Sequence, residues 1–95
     1  MELKPEELEQ LEEMAAALLP PTDIAILLKI PGDEHDKFVQ ICKSHKHTDI
    51  YAAYQRGKLT TKLELRKTIV KLAKAGSPAA EPIAQKFIRE QNMDE

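Results

Sequence analysis

The residues of this chain whose types and spacing can do chemistry are cationic. Seven basic side chains (Arg56, Lys58, Lys62, Arg66, Lys67, Lys71 and Lys74) fall between positions 56 and 74 against the single acid Glu64, so that segment carries +6. Each Lys or Arg that neutralises a phosphate releases condensed counterions and adds sequence-independent affinity for duplex DNA. Arg56, Lys58, Lys62 and Arg66 lead the expected DNA-binding set, Lys67 and Lys71 continue it, and Lys37 and Lys43 supplement it. The opposite charge sits at the other end of the chain. Met1 to Asp23 hold seven acids and only Lys4, a balance of −6. The basic run therefore has two further readings, a solvated helix face or a surface that mates with the acidic segment of a neighbouring subunit.

Other chemistries find less support. Cys42 and His45 stand at i and i+3, a spacing that shares a helix face, with His47 close by. A tetrahedral zinc site needs a fourth ligand, for which only Asp49 or His35 offers itself, so a buried apolar cysteine beside surface histidines is the expected arrangement and no metal is assigned. The glycines at 32, 57 and 76 form no phosphate-cradling loop, and neither Ser44 nor Ser77 lies in a nucleophile elbow. The paired carboxylates Glu12 and Glu13 lie on an exposed-looking helix rather than in the enclosed setting an acid–base pair needs. No enzymatic activity and no cofactor are expected.

Composition frames these readings. Ninety-five residues with 42% hydrophobic and 32% charged content fit one domain with a modest core, built of Leu, Ile and Ala because aromatics supply only 4%. A lone cysteine forms no internal disulfide and demands no oxidising compartment, which makes the cytoplasm the default location. No apolar run approaches the roughly 18 residues of a membrane span, and the acidic start lacks the basic-then-apolar order of a signal peptide.

The elements that must position the basic run read as helices throughout. Leu8, Leu11, Ala15, Leu18 and Leu19 repeat at helical spacing after Pro5, predicting a helix over 5–19 that Pro20 and Pro21 stop. Thr22 offers an N-cap for a short helix carrying Ile24, Ala25, Leu27 and Leu28, which Pro31 and Gly32 end. Asp33 caps a third helix with Phe38, Val39, Ile41 and Cys42 on its apolar face, running to about His45. Thr48 caps a fourth that packs Ile50, Tyr51 and Tyr54 and stops at Gly57. The basic helix follows Leu59, packing Leu65, Ile69, Leu72 and Ala73 on one face while Lys67, Lys71 and Lys74 track another. Gly76 at C′, then Ser77 and Pro78 as the next N-cap and N1, introduce a last helix with Ile83, Ala84, Phe87 and Ile88 as its stripe. Residues 92–95 are expected to fray. The fold class is all-α, five to six short helices in one bundle: an acidic N-terminal helix over 1–21, a helix-turn-helix-like unit over 22–57, and the basic and last helices over 58–91.

Within that unit, TDIAILLKIPG supplies what a helix-turn-helix needs: a short helix, a small residue at Ala25 for close approach, and a tight turn into a second helix. The acidic first turn of that second helix, with Asp33, Glu34 and Asp36, opposes phosphate contact there, and Lys37 and Lys43 offset it only in part. At these residues the chain resembles bacteriophage small terminase subunits and their homeodomain-like relatives. Three elements carry the resemblance: TDIAILLKI, matching the family's first helix-turn-helix helix; AYQRGKL, matching its Tyr-x-x-Gly-Lys/Arg passage; and LRKTIVKLAKAGSPAA, matching its helix ending in Leu-Ala-x-x-Gly-x-x-Ala. Together they span roughly residues 22–80. The resemblance implies a non-catalytic DNA-packaging component that binds double-stranded viral DNA, assembles into a homo-oligomeric ring and presents DNA to a separate ATP-driven large terminase subunit. It also implies residence in the cytoplasm of a bacterial host. Two departures stand out: the acidic start of the third helix, and the lack of a long heptad segment after the helical core.

Two other functions fit the same residues. One is a protein-interaction and oligomerisation module that never touches nucleic acid, consistent with the pI of about 5.9. The other is a small helix-turn-helix transcriptional regulator reading an operator as a dimer.

Overall fold

A computed structural model describes residues 1–94 and is all-helical, with no strand among them. Five α-helices follow in order: α1 (Pro5–Ala16), α2 (Pro21–Leu27), α3 (His35–Lys43), α4 (Asp49–Lys74) and α5 (Ala80–Asp94). One 3₁₀ turn, Gly32–Glu34, leads into α3. The chain divides into two compact units, Met1–Thr61 and the segment from Lys62 on, so that α4 lends its first half to one and its second half to the other.

The first unit holds the core. Leu11 and Ala15 from α1, Ile24 and Ala25 from α2, Leu28 and Ile30 from the turn, Phe38 and Cys42 from α3, and Ile50 and Ala53 from α4 form one buried cluster. Phe38, Leu11, Ile24 and Cys42 are its largest fully buried side chains, and fully burying a side chain of the Leu, Ile or Phe class is worth about 1.5–3 kcal/mol. No polar or charged residue is buried among the described residues.

Local chemistry explains most helix ends. Pro5 opens α1, and the Glu7 carboxylate reaches back to accept from the Lys4 amide at 2.9 Å. At the far end of α1 the Leu19 amide donates to the Met14 carbonyl and the Leu18 amide to the Ala15 carbonyl, the paired bonds of a Schellman motif. The motif recurs after α2, where Ile30 donates to Ala25 and Lys29 to Ile26, and after α4, where Ser77 donates to Leu72 and Gly76 to Ala73. Gly76 is the C′ residue the sequence predicts, with φ +90°. Thr48 caps α4 as expected, its hydroxyl accepting from the Tyr51 amide at 3.1 Å.

Several expectations are corrected. Gly57 does not stop a helix: the expected fourth and fifth helices are one continuous 26-residue α4, and Gly57 is a buried packing position inside it. A methyl group there would overlap the Glu12 carbonyl oxygen of α1 and come within 2.9 Å of the Ala15 Cβ, so only glycine lets the two helices approach this closely. The nearby Thr61 hydroxyl donates to the Ala16 carbonyl at 2.5 Å, occupying an acceptor that the end of α1 leaves open. Thr22 is not an N-cap: the carbonyl of Pro20 takes the Asp23 and Ile24 amides, and Pro21 occupies the first helical position. Asp33 lies within the 3₁₀ turn, and α3 begins two residues later, with Glu34 as a cap residue whose side chain makes no cap bond. The turn into α3 is held instead by His35, whose Nε2 donates to the Ile30 carbonyl at 2.7 Å.

The second unit buries little. Ala80 is its one fully buried apolar residue among the described residues. The face of α4 expected to pack, Leu65–Ile69–Leu72–Ala73, turns only Ile69 and Ala73 inward; Leu65 and Leu72 are 55% and 46% exposed. In α5 the expected stripe divides the same way, Ala84 and Phe87 half-buried, Ile83 and Ile88 exposed. Regular helix in α5 begins at Ala80 rather than at Pro78, though Ser77 still accepts from the Ala80 amide through both its carbonyl and its hydroxyl. It continues through Asp94 without breaking after Gln91; Glu95, the last of the residues expected to fray, lies outside the described residues.

Candidate nucleic-acid interface

Helix α4 carries the expected cations in two sets, one in each unit. Arg56 and Lys58 lie in the first. Arg56 is exposed, yet its Nε donates to Glu12 Oε1 at 2.7 Å, an ion pair across the crossing that Gly57 permits. That pairing supplies part of the countercharge a phosphate would otherwise bring. Lys58 is exposed and lines a shallow apolar cleft with Leu18, Leu19, Pro20, Pro21 and Tyr54. On α3, Phe38 and Cys42 point into the core, which leaves Asp36, Lys37, Gln40 and Lys43 exposed to solvent. Two cations and one carboxylate on that face make a mixed potential, as the acidic first turn led one to expect.

In the second unit Lys62, Lys67, Lys71 and Lys74 are all exposed, and none of them makes an ion pair among the described residues. Lys67, Lys71 and Lys74 follow each other at i, i+4 and i+7, which places them in one row along the helix. Leu63 and Val70 join that row, and together with Arg66 these side chains line one groove along α4. Seven basic and five acidic residues between positions 62 and 95 leave this unit at +2, whereas seven basic and eleven acidic residues leave Met1–Thr61 at −4.

Arg66 stands apart from its lysine neighbours. Its guanidinium donates to Glu90 Oε2 at 2.5 Å and lies 4.1 Å from the centroid of the Phe87 ring, so an ion pair and a cation–π contact both tie it to α5. The hydrogen bond from Arg66 holds the Glu90 carboxyl below its ordinary pKa. Arg66 thus fastens the α4–α5 hairpin, a role that the run of basic residues in the sequence conceals. Lys74 is the reverse case: it completes the exposed row although Arg56 to Lys71 took precedence in the sequence, and the i, i+4, i+7 spacing from Lys67 is the signal that finds it.

The cysteine and histidines are not gathered into a ligand set; among the described residues no three His, Cys, Asp or Glu side chains are grouped to hold a metal ion. Cys42 is fully buried, and desolvation pushes its thiol up to about 11 against the smaller opposing effect of Lys43. His45 accepts or donates at Nδ1 to the Tyr51 hydroxyl at 3.3 Å and meets that ring edge-on. No helix among the described residues is long and apolar enough to cross a membrane.

No family model, no curated protein and no solved structure matches the chain.

Proposed function

We propose that this protein is a non-catalytic adaptor that binds double-stranded DNA, a phage small-terminase-like subunit acting in a bacterial cytoplasm beside a separate ATP-driven large subunit. The observation that carries the reading is the row Lys67, Lys71 and Lys74, exposed, free of ion pairs among the described residues and set in a unit of net charge +2. An exposed cationic row on a helix suits phosphate tracking, in which affinity is sequence-independent and steeply salt-dependent. Lys62 adds a further exposed cation, and Lys58, Lys37 and Lys43 offer the first unit's contribution.

A second reading rests on its own observation. Leu63, Leu65, Leu72, Ile83 and Ile88 are exposed in a unit with almost no core of its own, and self-association would supply the missing burial. A protein-interaction module without nucleic-acid binding meets that need, and so does a DNA-binding homo-oligomer.

Fluorescence anisotropy with labelled duplex DNA at about 50 and 200 mM salt separates the two. Several phosphate contacts weaken affinity by orders of magnitude over that range. No binding at the lower salt removes the DNA reading and leaves the interaction module.

A further inference from the structure

The lysine row has a match on the same chain. On α1 the buried positions are Leu11 and Ala15, which turns Glu6, Glu9 and Glu13 outward, all three exposed and none ion-paired among the described residues. Glu12, by contrast, faces Arg56 and is occupied by it. Glu6, Glu9 and Glu13 step by three and then four residues, while Lys67, Lys71 and Lys74 step by four and then three. Laid antiparallel, the two helices bring Glu13 opposite Lys67, Glu9 opposite Lys71 and Glu6 opposite Lys74, with every step in register. The same alignment sets Gln10 against Val70 and Ala17 against Leu63, a small residue over the exposed leucine of the groove.

From this register and the opposite charges of the two units, we infer that the lysine row of α4 docks the outer face of α1 from a second copy of this chain. The contact is heterologous: the acidic row of each subunit serves the next one, and its own lysines stay available to a third. Exposed ion pairs are individually weak and screened by salt, so the association is modest and ionic-strength dependent. Because phosphates and the second copy's glutamates use the same lysines, DNA and this contact exclude each other. The inference does not rest on the DNA reading, since it needs only the two charged rows.

The test is a charge exchange followed by sedimentation velocity at about 50 and 300 mM salt, on the full chain, with helicity checked by circular dichroism. Variant one carries Glu6→Lys, Glu9→Lys and Glu13→Lys; variant two carries Lys67→Glu, Lys71→Glu and Lys74→Glu. Wild type is expected to self-associate at the lower salt, with at least a roughly 10-fold weakening at the higher. Each variant alone loses association, and an equimolar mixture regains it. A wild type that stays monomeric at low salt overturns the inference, as does a mixture that fails to associate. If reversal of Glu6 unwinds the first turn of α1, Gln versions of both triples serve instead: unchanged self-association in either Gln triple also overturns it. DNA binding by variant one, which keeps all its lysines, is read separately, so failure of this contact and failure of the DNA reading give different results.

Discussion

Gly57 in the first half of α4 lies directly against the backbone carbonyl of Glu12 in α1, in a space that leaves no room for a methyl group. The crossing sets the Arg56–Glu12 ion pair and the Thr61–Ala16 hydrogen bond on either side of it. Gly57→Ala gains helix propensity of about 1 kcal/mol but meets backbone, which cannot swing away as a side-chain tip can. The expected net effect is a loss of about 2 kcal/mol, read as a fall of roughly 8–16 °C in Tm for a chain of this size. Gly32→Ala, where nothing lies within 4 Å of the added methyl, is the matched control and stays within about 0.5 kcal/mol of wild type.

Lys29 offers the opposite experiment. It ends α2 with φ +59°, a left-handed conformation that costs a residue bearing a Cβ about 1 kcal/mol. Lys29→Gly relieves that cost and keeps the Schellman bonds, at the expense of a more flexible unfolded chain. Chemical denaturation is expected to show a gain of a few tenths to about 1 kcal/mol with an unchanged slope.

These two residues also mark where the sequence could and could not be read. Proline and glycine punctuation located the start of α1, the break between α1 and α2 and the end of α4, because Pro5, Pro20–Pro21 and Gly76 act through local sterics that need no partner. But α1 ends at Ala16 rather than Leu19, and α2 at Leu27, ahead of the prolines expected to stop them. Gly57 misled for the same reason: alone it signals a stop, and only the approach of α1, more than forty positions away, explains it as a packing residue. Leu18, Lys29 and His45 end three helices in left-handed conformations without being glycine, so no residue type announces them. Apolar periodicity identified Leu65–Leu72 as a face that needs covering, yet periodicity does not say by what, and within this chain those two leucines stay exposed. The cations of the candidate interface were legible as a charge run. That Arg66 belongs to Phe87 and Glu90 was not, since the pairing depends on how α5 folds back.

Cys42 reports on the core. Its thiol is fully buried and pushed up to about 11, so at pH 8 it is both shielded and protonated. Native protein is expected to react with a thiol reagent orders of magnitude more slowly than denatured protein, at a rate set by opening of the first unit. Gly57→Ala should accelerate it. Equal rates for native and denatured protein would place the thiol outside the core.

Acid should loosen the hairpin through Glu90. Its carboxyl is held below the ordinary range by the Arg66 hydrogen bond, so its contribution is fully present above the usual glutamate pKa and fades as pH falls through the lowered folded value. Helicity of wild type is expected to drop in that acid window more than that of Glu90→Gln, which starts without the ionic contribution. Identical acid profiles would remove the ion pair from the account of this unit.

The claim at the centre is that exposed lysines on the second half of α4 track DNA phosphates. The direct measurement is the slope of log affinity against log salt for duplex DNA, taken for wild type and for the triple variant Lys67→Gln, Lys71→Gln, Lys74→Gln. Each lost phosphate contact lowers the slope by about 0.9, so the variant is expected to fall short of wild type by about 2.7 units and to bind more weakly at low salt. A variant with wild-type slope and affinity would contradict the assignment and move any DNA contact off this row.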